Sequence, residues 1–384
     1  MGWDVSVLTT KPHYNPLARS AMSQGLTDVW GALLAKSTFC GANVLHTAMP
    51  LKGRSVTARI GGWIGFHFLS VVAALFKVGK VDVILAPSPP LSIGVAAWVI
   101  GLLKRAPYIY NVQELYPDTA VNLGALREGP FLDALRAMER FVYKRAFAVT
   151  TIAPGMARTI RSRTDNPGKV RLIPNFVDTR FIAPRPRDNA FSREYGLTAR
   201  FNVVYAGNMG PAQDLGIVLE AAELTKDDAR IFYVFVGEGT SRDSLEQSAF
   251  SRSLSNVLFI SQQPYDRVPD IYGASDLCVV PLAPSLVAEA VPSKVYRIMA
   301  AGRRVLAIAD EDSDLAQVVR DSGTGIVVNA GSASALAQAI LVAANDPGLA
   351  SGEAGRDFVA LHVDRPLIIR QYSELLSEAS SESV

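Results

Sequence analysis

The stretch Val291–Ala307, VPSKVYRIMAAGRRVLA, carries the signals of a helix that leads directly into a strand. Pro292 suits the first turn of a helix, and Gly302 suits the position that ends one. The start of a helix presents unpaired backbone N–H groups and a partial positive charge, and Lys294 adds a full charge there. The stretch therefore predicts a helix start that binds an anion, for which a diphosphate is a natural ligand.

The same alternation of apolar strands and helical patterns runs along most of the chain. Strands are predicted at Asp4–Thr10, Val81–Ser88, Ala106–Gln113, Phe147–Gly155 and Val170–Asp178, and then at Phe201–Asn208, Ala229–Gly239, Asn256–Ser261 and Asp276–Leu282. Helical patterns such as Pro89–Arg105 and Gly129–Ala146 lie between them. Strands that alternate with helices form parallel sheets with helices on both faces, so the sequence predicts the α/β class.

A polar, proline-bearing segment, Ala183–Arg200, interrupts this alternation and is typical of a linker. The 384 residues of the chain are too many for one ordinary hydrophobic core and are about the length of two domains. We therefore expect one Rossmann-like domain over residues 1–182 and a second over residues 183–365, facing each other across a cleft. Residues 366–384 are expected to form a final helix that packs back on the first domain.

Composition limits the classes of function. Apolar residues make up 49% of the chain and charged residues 19%, as in a globular protein. A net charge of +2 argues against a nucleic-acid partner. The two cysteines, Cys40 and Cys278, lie far apart and the four histidines are scattered, so no disulfide framework and no metal site is predicted. This cysteine usage fits a reducing compartment, and we expect a cytoplasmic protein.

The most apolar segment is Gly61–Lys80. Its uninterrupted part is shorter than the roughly 18–20 residues that a membrane-spanning helix needs. It is interpreted either as a buried helix or as a helix in a membrane interface, with Lys77 and Lys80 near the lipid headgroups. The mean hydropathy of +0.19 is high for a soluble enzyme and keeps the second interpretation open.

Two predicted strands end in turns that contain glycine. VVYAGNMG places Gly207, Asn208 and Gly210 after one strand, and FVGEGTSRDSL places Gly237 after the next. Glycines at a strand end let backbone N–H groups approach a ligand such as a phosphate. The first turn has the pattern of neither a dinucleotide fingerprint nor a P-loop, and each turn taken alone favours an ordinary tight turn over a ligand site.

Polar residues near two other strand ends extend this candidate site. Gln262 and Gln263 follow a strand, where they either line a pocket for a base or belong to an ordinary connecting loop. Glu289 precedes the Val291–Ala307 stretch and offers a carboxylate that accepts hydrogen bonds from hydroxyl groups. Together with the glycine turns and Lys294, these residues indicate a nucleotide-sugar site.

The chain resembles the retaining glycosyltransferases of family four, which have the two-domain GT-B fold. The resemblance is closest to the branch that builds bacterial O-antigen, capsule and colanic-acid-type polysaccharides. It rests on VVYAGNMGPAQDL, FVGEGTSRDSL, PYDRVPDIYGASDLCVVPL and VPSKVYRIMAAGRRVLA in the second half, and on SPPLSIGVAAW, NVQELYPD and VRLIPNFVDTRF in the first. It covers nearly the whole chain.

The resemblance implies roles for individual residues. The first domain would bind the acceptor and the second the nucleotide sugar. Glu289 and Lys294 would be the catalytic residues, with Glu289 facing the donor sugar. The donor site would consist of Gly207, Asn208, Gly210, Gly237, Gln263, Val291, Pro292, Ser293 and Arg297. The acceptor side would include Glu114, Tyr116 and Asp118.

The resemblance also implies an activity and its partners. A hexosyl or N-acetylhexosaminyl group would move from a nucleoside-diphosphate sugar, with UDP as the expected nucleotide, to a lipid-linked or polysaccharide acceptor. The reaction would need no metal and no other cofactor. The Gly61–Lys80 segment would dock the enzyme peripherally on the inner face of the plasma membrane.

Two features depart from the family pattern. Where the family has a second glutamate, eight positions after the first, this chain has Arg297, whose guanidinium group can only donate hydrogen bonds to a ribose and is suited to a phosphate or to Glu289. The family also begins with a strand and a glycine-rich loop before the equivalent of Gly2–Thr10, so we expect either an incomplete first sheet or a start farther upstream. These departures leave a non-catalytic or decayed relative, acting as a binding subunit, as an alternative to the enzyme. A nucleotide-sugar 2-epimerase with the same fold is a further alternative.

Overall fold

The computed structural model describes residues 2–11, 25–49, 56–122, 124–283, 291–346 and 352–382. These residues form three β-sheets with helices packed between and around them, which confirms the predicted α/β class. Within these ranges, no helix combines the length and the apolar character needed to cross a membrane.

The first sheet has four strands in the order β1-β4-β3-β2. They are β1 Ser6–Thr10, β2 Thr27–Asp28, β3 Leu34–Phe39 and β4 Ala42–Thr47. β1 runs parallel to β4, whereas β3 and β4 form an antiparallel hairpin. Both residues of the hairpin turn, Cys40 and Gly41, have positive φ, as the tightest hairpin turns require. This hairpin turn was not predicted from the sequence, because cysteine rarely adopts that conformation.

The second sheet has four parallel strands in chain order. They are β5 Ile84–Pro87, β6 Tyr108–Val112, β7 Ala148–Thr151 and β8 Val170–Leu172. The helices of this part are α1 Val56–Lys77, α2 Ser92–Lys104, α3 Asp118–Asn122, α4 Pro130–Arg145 and α5 Pro154–Arg163. The prediction that β7 continues to Gly155 was wrong. Pro154 begins α5 instead, because its fixed φ suits the first position of a helix.

The third sheet has six parallel strands in the order β11-β10-β9-β12-β13-β14. They are β9 Phe201–Ala206, β10 Ile231–Val236, β11 Val257–Ile260, β12 Leu277–Pro281, β13 Arg304–Ile308 and β14 Gly325–Val328. The order reverses between β9 and β12, since β10 and β11 extend the sheet in one direction and β13 and β14 in the other. Ligands of open parallel sheets bind at such a reversal, beyond the carboxyl ends of the strands.

The helices of the second half are distributed around the third sheet and at the end of the chain. They are α6 Ala190–Glu194, α7 Gly216–Leu224, α8 Arg242–Ser251, α9 Val268–Gly273, α10 Lys294–Ala300, α11 Asp314–Ser322, α12 Ala333–Asn345, α13 Gly352–His362 and α14 Arg365–Ser381. α6 lies inside the segment that was interpreted as a linker. It begins at Asn189, whose side chain accepts a hydrogen bond from the backbone N–H of Ser192.

One hydrophobic cluster joins the second and third sheets. It contains Ile152 and Met156 from the first half of the chain and Tyr296, Leu315 and Val319 from the second, all of them buried. The two parallel units therefore share a continuous apolar interface.

The C-terminal helix α14 returns to the second sheet. Its residues Ile368 and Leu375 pack with Ile109 of β6. The hydroxyl group of Tyr372 also accepts a hydrogen bond of 2.8 Å from Nδ2 of Asn111.

The chain passes between the two units at two places that are bonded to each other. The backbone N–H of Val177 donates to the carbonyl of Val363 at 3.0 Å, and that of Arg365 donates to the carbonyl of Val177 at 2.9 Å. The guanidinium group of Arg365 also pairs with Asp178 at 2.6 Å. Residues 175–182 and 363–365 are termed the hinge segments below.

Candidate active site

The glycine turns after β9 and β10 lie side by side, because their strands are neighbours in the sheet. Gly207 and Gly237 have φ of +149° and +143°. A Cβ atom on Gly237 would stand 2.0 Å from the carbonyl oxygen of Gly207, and one on Gly239 would stand 2.1 Å from that of Met209. At Gly237 the backbones of the two turns therefore contact each other, and this contact determines the shape of the site there.

Lys294, the first residue of α10, reaches the turn after β9. Its Nζ atom donates a 2.9 Å hydrogen bond to the hydroxyl group of Tyr205. A Cβ atom on Gly207 would lie 2.9 Å from the same Nζ atom, so glycine makes room for the lysine. The Tyr205 hydroxyl group in turn donates to the backbone carbonyl of Asn208. Tyr205, which sequence analysis did not select, therefore orients both Lys294 and the turn.

The ammonium group of Lys294 is in an unusual electrostatic environment. Burial lowers the pKa of Lys294 to about 7, and the charge of nearby Arg297 contributes to the shift. No carboxylate in the described ranges forms an ion pair with Lys294. A partly desolvated cation that pairs with no described carboxylate, at the order reversal of a parallel sheet, is suited to an anionic ligand.

Helix α10 itself is shorter than the sequence pattern suggested. It has seven residues, and Ser293 before it makes no side-chain capping bond. Val291 is buried at 3% exposure, so its side chain belongs to the core. The positive charge at this place comes mainly from Lys294, because a two-turn helix contributes only a small dipole.

Arg297 lies one turn beyond Lys294 on α10. Its guanidinium group is 5.9 Å from the centre of the Tyr265 ring. Tyr265 is stacked on Phe181 of a hinge segment, with the ring centres 4.8 Å apart and the planes at 11°. Ser293, Arg297 and Tyr265 face the hinge segments across a cavity of about 520 Å³.

The other residues predicted to bind the donor form hydrogen bonds with their own neighbours, are exposed or lie outside the described residues. Gln263 bonds to its neighbours, donating to the carbonyl of Ser261 at 3.1 Å and accepting from Arg267 at 3.0 Å. The backbone N–H of Gly210 donates to the side chain of Gln213 at 3.1 Å. The Asn208 side chain is exposed. Glu289 lies outside the described residues.

The predicted acceptor residues follow β6 of the second sheet. Glu114 is exposed and Tyr116 is half-buried. Asp118 starts α3 and forms an ion pair with Arg163, which also bonds to the buried Glu139 at 3.2 Å. The ion pair with Arg163 anchors the loop that carries Glu114 and Tyr116.

The hinge residues and the aromatic stack were not predicted from the sequence. Tyr205 could have been selected, because a tyrosine near the end of a buried strand needs a partner for its hydroxyl group. Phe181 and Tyr265 gave no such signal, because their contact depends on how the two units pack. A group of three or more acidic, histidine or cysteine residues that could hold a metal ion is absent from the described ranges.

Comparison with family models matches both halves of the chain. Residues 1–175 match the model described as "Glycosyl transferase 4-like domain". Residues 189–355 match the model described as "Glycosyl transferases group 1". The two matches together cover most of the sequence.

Two curated relatives are glycosyltransferases by name. The putative colanic acid biosynthesis glycosyl transferase WcaI of Escherichia coli K12 is 26% identical over 386 residues, covering 97% of this chain and 91% of the relative. The probable glycosyltransferase WbjE of Pseudomonas aeruginosa is 23% identical over 260 residues, covering 67% of this chain and 65% of the relative.

Solved structures share the architecture at low identity. A sucrose-phosphate synthase from Thermosynechococcus elongatus is 19% identical, with a TM-score of 0.76 and coverage of 98% of this chain and 89% of that one. Anabaena Alr3699/HepE in complex with UDP and glucose is 17% identical, with a TM-score of 0.70 and coverage of 88% and 86%. These likenesses confirm the predicted fold, with two Rossmann-like units.

Proposed function

Because this chain belongs to the glycosyltransferases of family four, we propose that it moves a hexosyl or N-acetylhexosaminyl group from a nucleoside-diphosphate sugar to a lipid-linked or polysaccharide acceptor, with retention of configuration. The observation that carries the proposal is the ammonium group of Lys294. It lies at the order reversal of the third sheet, and no described carboxylate pairs with it.

The proposed chemistry is stabilisation of the leaving diphosphate. Negative charge develops on the diphosphate as its bond to the sugar breaks. Lys294 and the backbone N–H of Asn208, which makes no hydrogen bond within the described ranges, would both face that charge. Groups that are already oriented stabilise a transition state without further rearrangement. The acceptor would attack from the face that the diphosphate leaves, and Glu289 would contact the donor sugar.

UDP is the proposed nucleotide. The Anabaena protein, which shares the fold, has been solved with UDP and with UDP-glucose, and this supports the choice. A polysaccharide-type acceptor is supported by the name of the Escherichia coli relative. Glu114 and Tyr116, at the carboxyl end of β6, are proposed to contact that acceptor.

We also propose a cytoplasmic protein that docks on the inner face of the plasma membrane through α1. The side chains of Ile64, Phe68 and Phe76 on this helix are 65%, 68% and 74% exposed. Lys77 ends the helix and Lys80 lies three residues beyond it, and both suit anionic headgroups. An exposed apolar row flanked by lysines supports an interfacial position.

The test is sugar transfer and donor hydrolysis with a panel of UDP-sugars. Lys294→Ala should lower turnover by about 100-fold or more, as expected when an oriented group that stabilises a leaving charge is lost. Glu289→Ala should have a comparable effect. Lys226→Ala is the matched control, because this lysine is exposed at the far end of α7.

The outcomes separate the alternatives. Wild-type turnover in both Lys294→Ala and Glu289→Ala would remove these residues from the site. Tight UDP binding by the wild type without any transfer or hydrolysis would favour the non-catalytic binding subunit, an alternative that the arginine at position 297 supports.

A further inference from the structure

Helices α1, α2 and α4, termed the helix layer below, pack side by side. Nζ of Lys104 in α2 donates to the carbonyls of Val78 and Gly79, just beyond α1, at 2.7 and 3.1 Å. The Trp98 ring of α2 meets the Phe141 ring of α4 edge to face, with the ring centres 5.0 Å apart. α2 therefore joins the other two helices.

The helix layer covers one face of the second sheet. Tyr108 and Tyr110 of β6 share an apolar cluster with residues of α2 and α4, whereas Ile109 packs with α14. Successive residues of a strand point to opposite faces of a sheet, so α14 covers the other face. The exposed sides of the helix layer therefore point in a common direction, away from the sheet.

Each helix of the layer ends in cations. Lys77 lies in the last turn of α1, Lys104 in that of α2, and Lys144 and Arg145 in that of α4. Each helix ends shortly before the next strand of the second sheet begins, so these cations lie along the amino edge of the sheet. A cation at the end of a helix also stabilises the helix dipole, so its position alone does not assign it to a ligand.

Helix α4 carries cations beyond those that its own end uses. Nζ of Lys169 already donates to the carbonyls of Lys144 and Ala146 at 3.2 and 2.8 Å. Arg140 and Lys144 are exposed and four positions apart, which makes them neighbours on the helix surface. In the described part of the chain, neither of these two side chains forms an ion pair. Two adjacent cations of this kind suit an anionic surface.

Apolar side chains are exposed on the same layer. Leu102 and Leu103 lie at the end of α2, and Phe131 lies in the first turn of α4. They extend the exposed apolar row of α1. Apolar side chains bordered by cations match a bilayer, in which the acyl chains lie beneath anionic headgroups.

We infer that the helix layer is one docking surface for an anionic lipid bilayer, and that Arg140 and Lys144 of α4 bind its headgroups. This inference rests on the proposed docking of α1 and extends it from one helix to three.

The experiment is flotation of the full chain with two kinds of vesicle, one of phosphatidylcholine alone and one of equal parts phosphatidylcholine and phosphatidylglycerol. The wild type should bind the anionic vesicles more tightly. The double variant Arg140→Gln/Lys144→Gln should bind them at least about tenfold more weakly, because each cation near an anionic surface contributes about fivefold. Equal binding of the wild type to both kinds of vesicle would overturn the inference.

The matched control is the double variant Lys226→Gln/Arg370→Gln, which removes the same net charge. Both side chains are exposed. Lys226 follows the end of α7 in the other unit, and Arg370 lies on α14, on the opposite face of the second sheet. The control should bind as the wild type does. An equal loss in the control, or undiminished binding by Arg140→Gln/Lys144→Gln, would overturn the inference.

A gain of binding keeps the test decisive if the first variant does not fold. Ala137 is exposed on α4, three positions before Arg140, so Ala137→Lys extends the cationic row. It should strengthen binding to the anionic vesicles by about threefold or more. Ala360→Lys adds the same charge at an exposed position of α13 and should leave binding unchanged. No gain in Ala137→Lys, or an equal gain in both variants, would overturn the inference.

The results also distinguish this inference from the proposed function. A wild type that binds neither kind of vesicle would contradict docking through α1 as well. Loss of binding in Ile64→Glu, together with undiminished binding in Arg140→Gln/Lys144→Gln, would retain α1 as the docking helix and exclude α4.

Discussion

At the scale of single residues, the proposed binding of the donor depends on the charge of Lys294. Burial lowers the pKa of Lys294 to about 7, with Arg297 as the second cause, so the ammonium form is lost as the pH rises through neutrality. A bound diphosphate favours the charged form and draws a proton onto the lysine. UDP affinity should therefore fall as the pH rises, by up to about tenfold per unit between about pH 7 and pH 9.

Calorimetry in two buffers of different ionisation heat measures this effect. UDP binding by the wild type at about pH 8 should take up a large fraction of one proton. The phosphate groups are fully ionised in this range and add little proton exchange of their own. Lys294→Met, which is neutral at every pH, is the control and should show neither the slope nor the uptake. An equal slope in this variant would assign the pH dependence to another group.

Residue types at strand ends were predictable from the sequence, whereas their tasks were not. Gly207 and Gly237 were selected because glycines at the ends of parallel strands suit phosphate, and Lys294 was selected because it adds a full charge at a helix start. The structure adds that Gly237 is required by backbone contact with Gly207, and that Gly207 makes room for Lys294. Such requirements come from atoms of other elements and leave no local pattern.

At the scale of elements, predictions succeeded where a strand is buried on both faces. Residues 203–206 of β9 and residues 277–281 of β12 are continuous apolar runs, each preceded by a polar residue, which is the pattern of a central parallel strand. The hairpin of β3 and β4 was missed because burial does not follow residue type there: Phe39 is exposed, whereas His46 and Thr47 are buried. Helix α13 has few signals of its own and depends on its packing against α10 and Thr324.

Helix α1 is the element for which sequence analysis left two interpretations, and its exposed side chains support a prediction. The wild type should float with vesicles that contain anionic lipid. Ile64→Glu and Phe68→Glu should each reduce vesicle binding by at least about fivefold, because each change removes apolar area and adds repulsion from anionic headgroups.

The matched control is Phe250→Glu. Phe250 is 87% exposed on α8 in the other unit, so the change has the same chemistry at a place without flanking lysines. It should leave flotation unchanged. A wild type that stays in solution, or an equal loss in the control, would argue against the membrane position of α1.

At the scale of the whole molecule, the joint between the two units was not predictable. The backbone N–H of Gly155, in the first turn of α5, donates a 2.6 Å hydrogen bond to Oδ2 of Asp314 in the first turn of α11, and 159 positions separate the two residues. Arg158 of α5 approaches the other oxygen of Asp314 at 3.6 Å. Sequence patterns indicated two units but held no information on this contact, since neither helix requires it in order to form.

The contact leads to a prediction about how firmly the units are joined. Asp314→Ala removes the acceptor and leaves the buried N–H of Gly155 unpaired, which should cost about 1–3 kcal/mol. Asp314→Asn keeps an oxygen at the same place and should retain most of the bond. Hydrogen exchange of the Gly155 and Met156 amides should accelerate at least about tenfold in Asp314→Ala and much less in Asp314→Asn.

Amides elsewhere show whether the joint opens alone. If those of Val234 and Phe235, in the buried strand β10 of the third sheet, keep their wild-type exchange in Asp314→Ala, the units separate locally without global unfolding. Acceleration at β10 to the same degree would mean instead that the whole fold has lost stability. Unchanged exchange at Gly155 would show that the apolar cluster of Ile152, Met156 and Leu315 joins the units without help from this hydrogen bond.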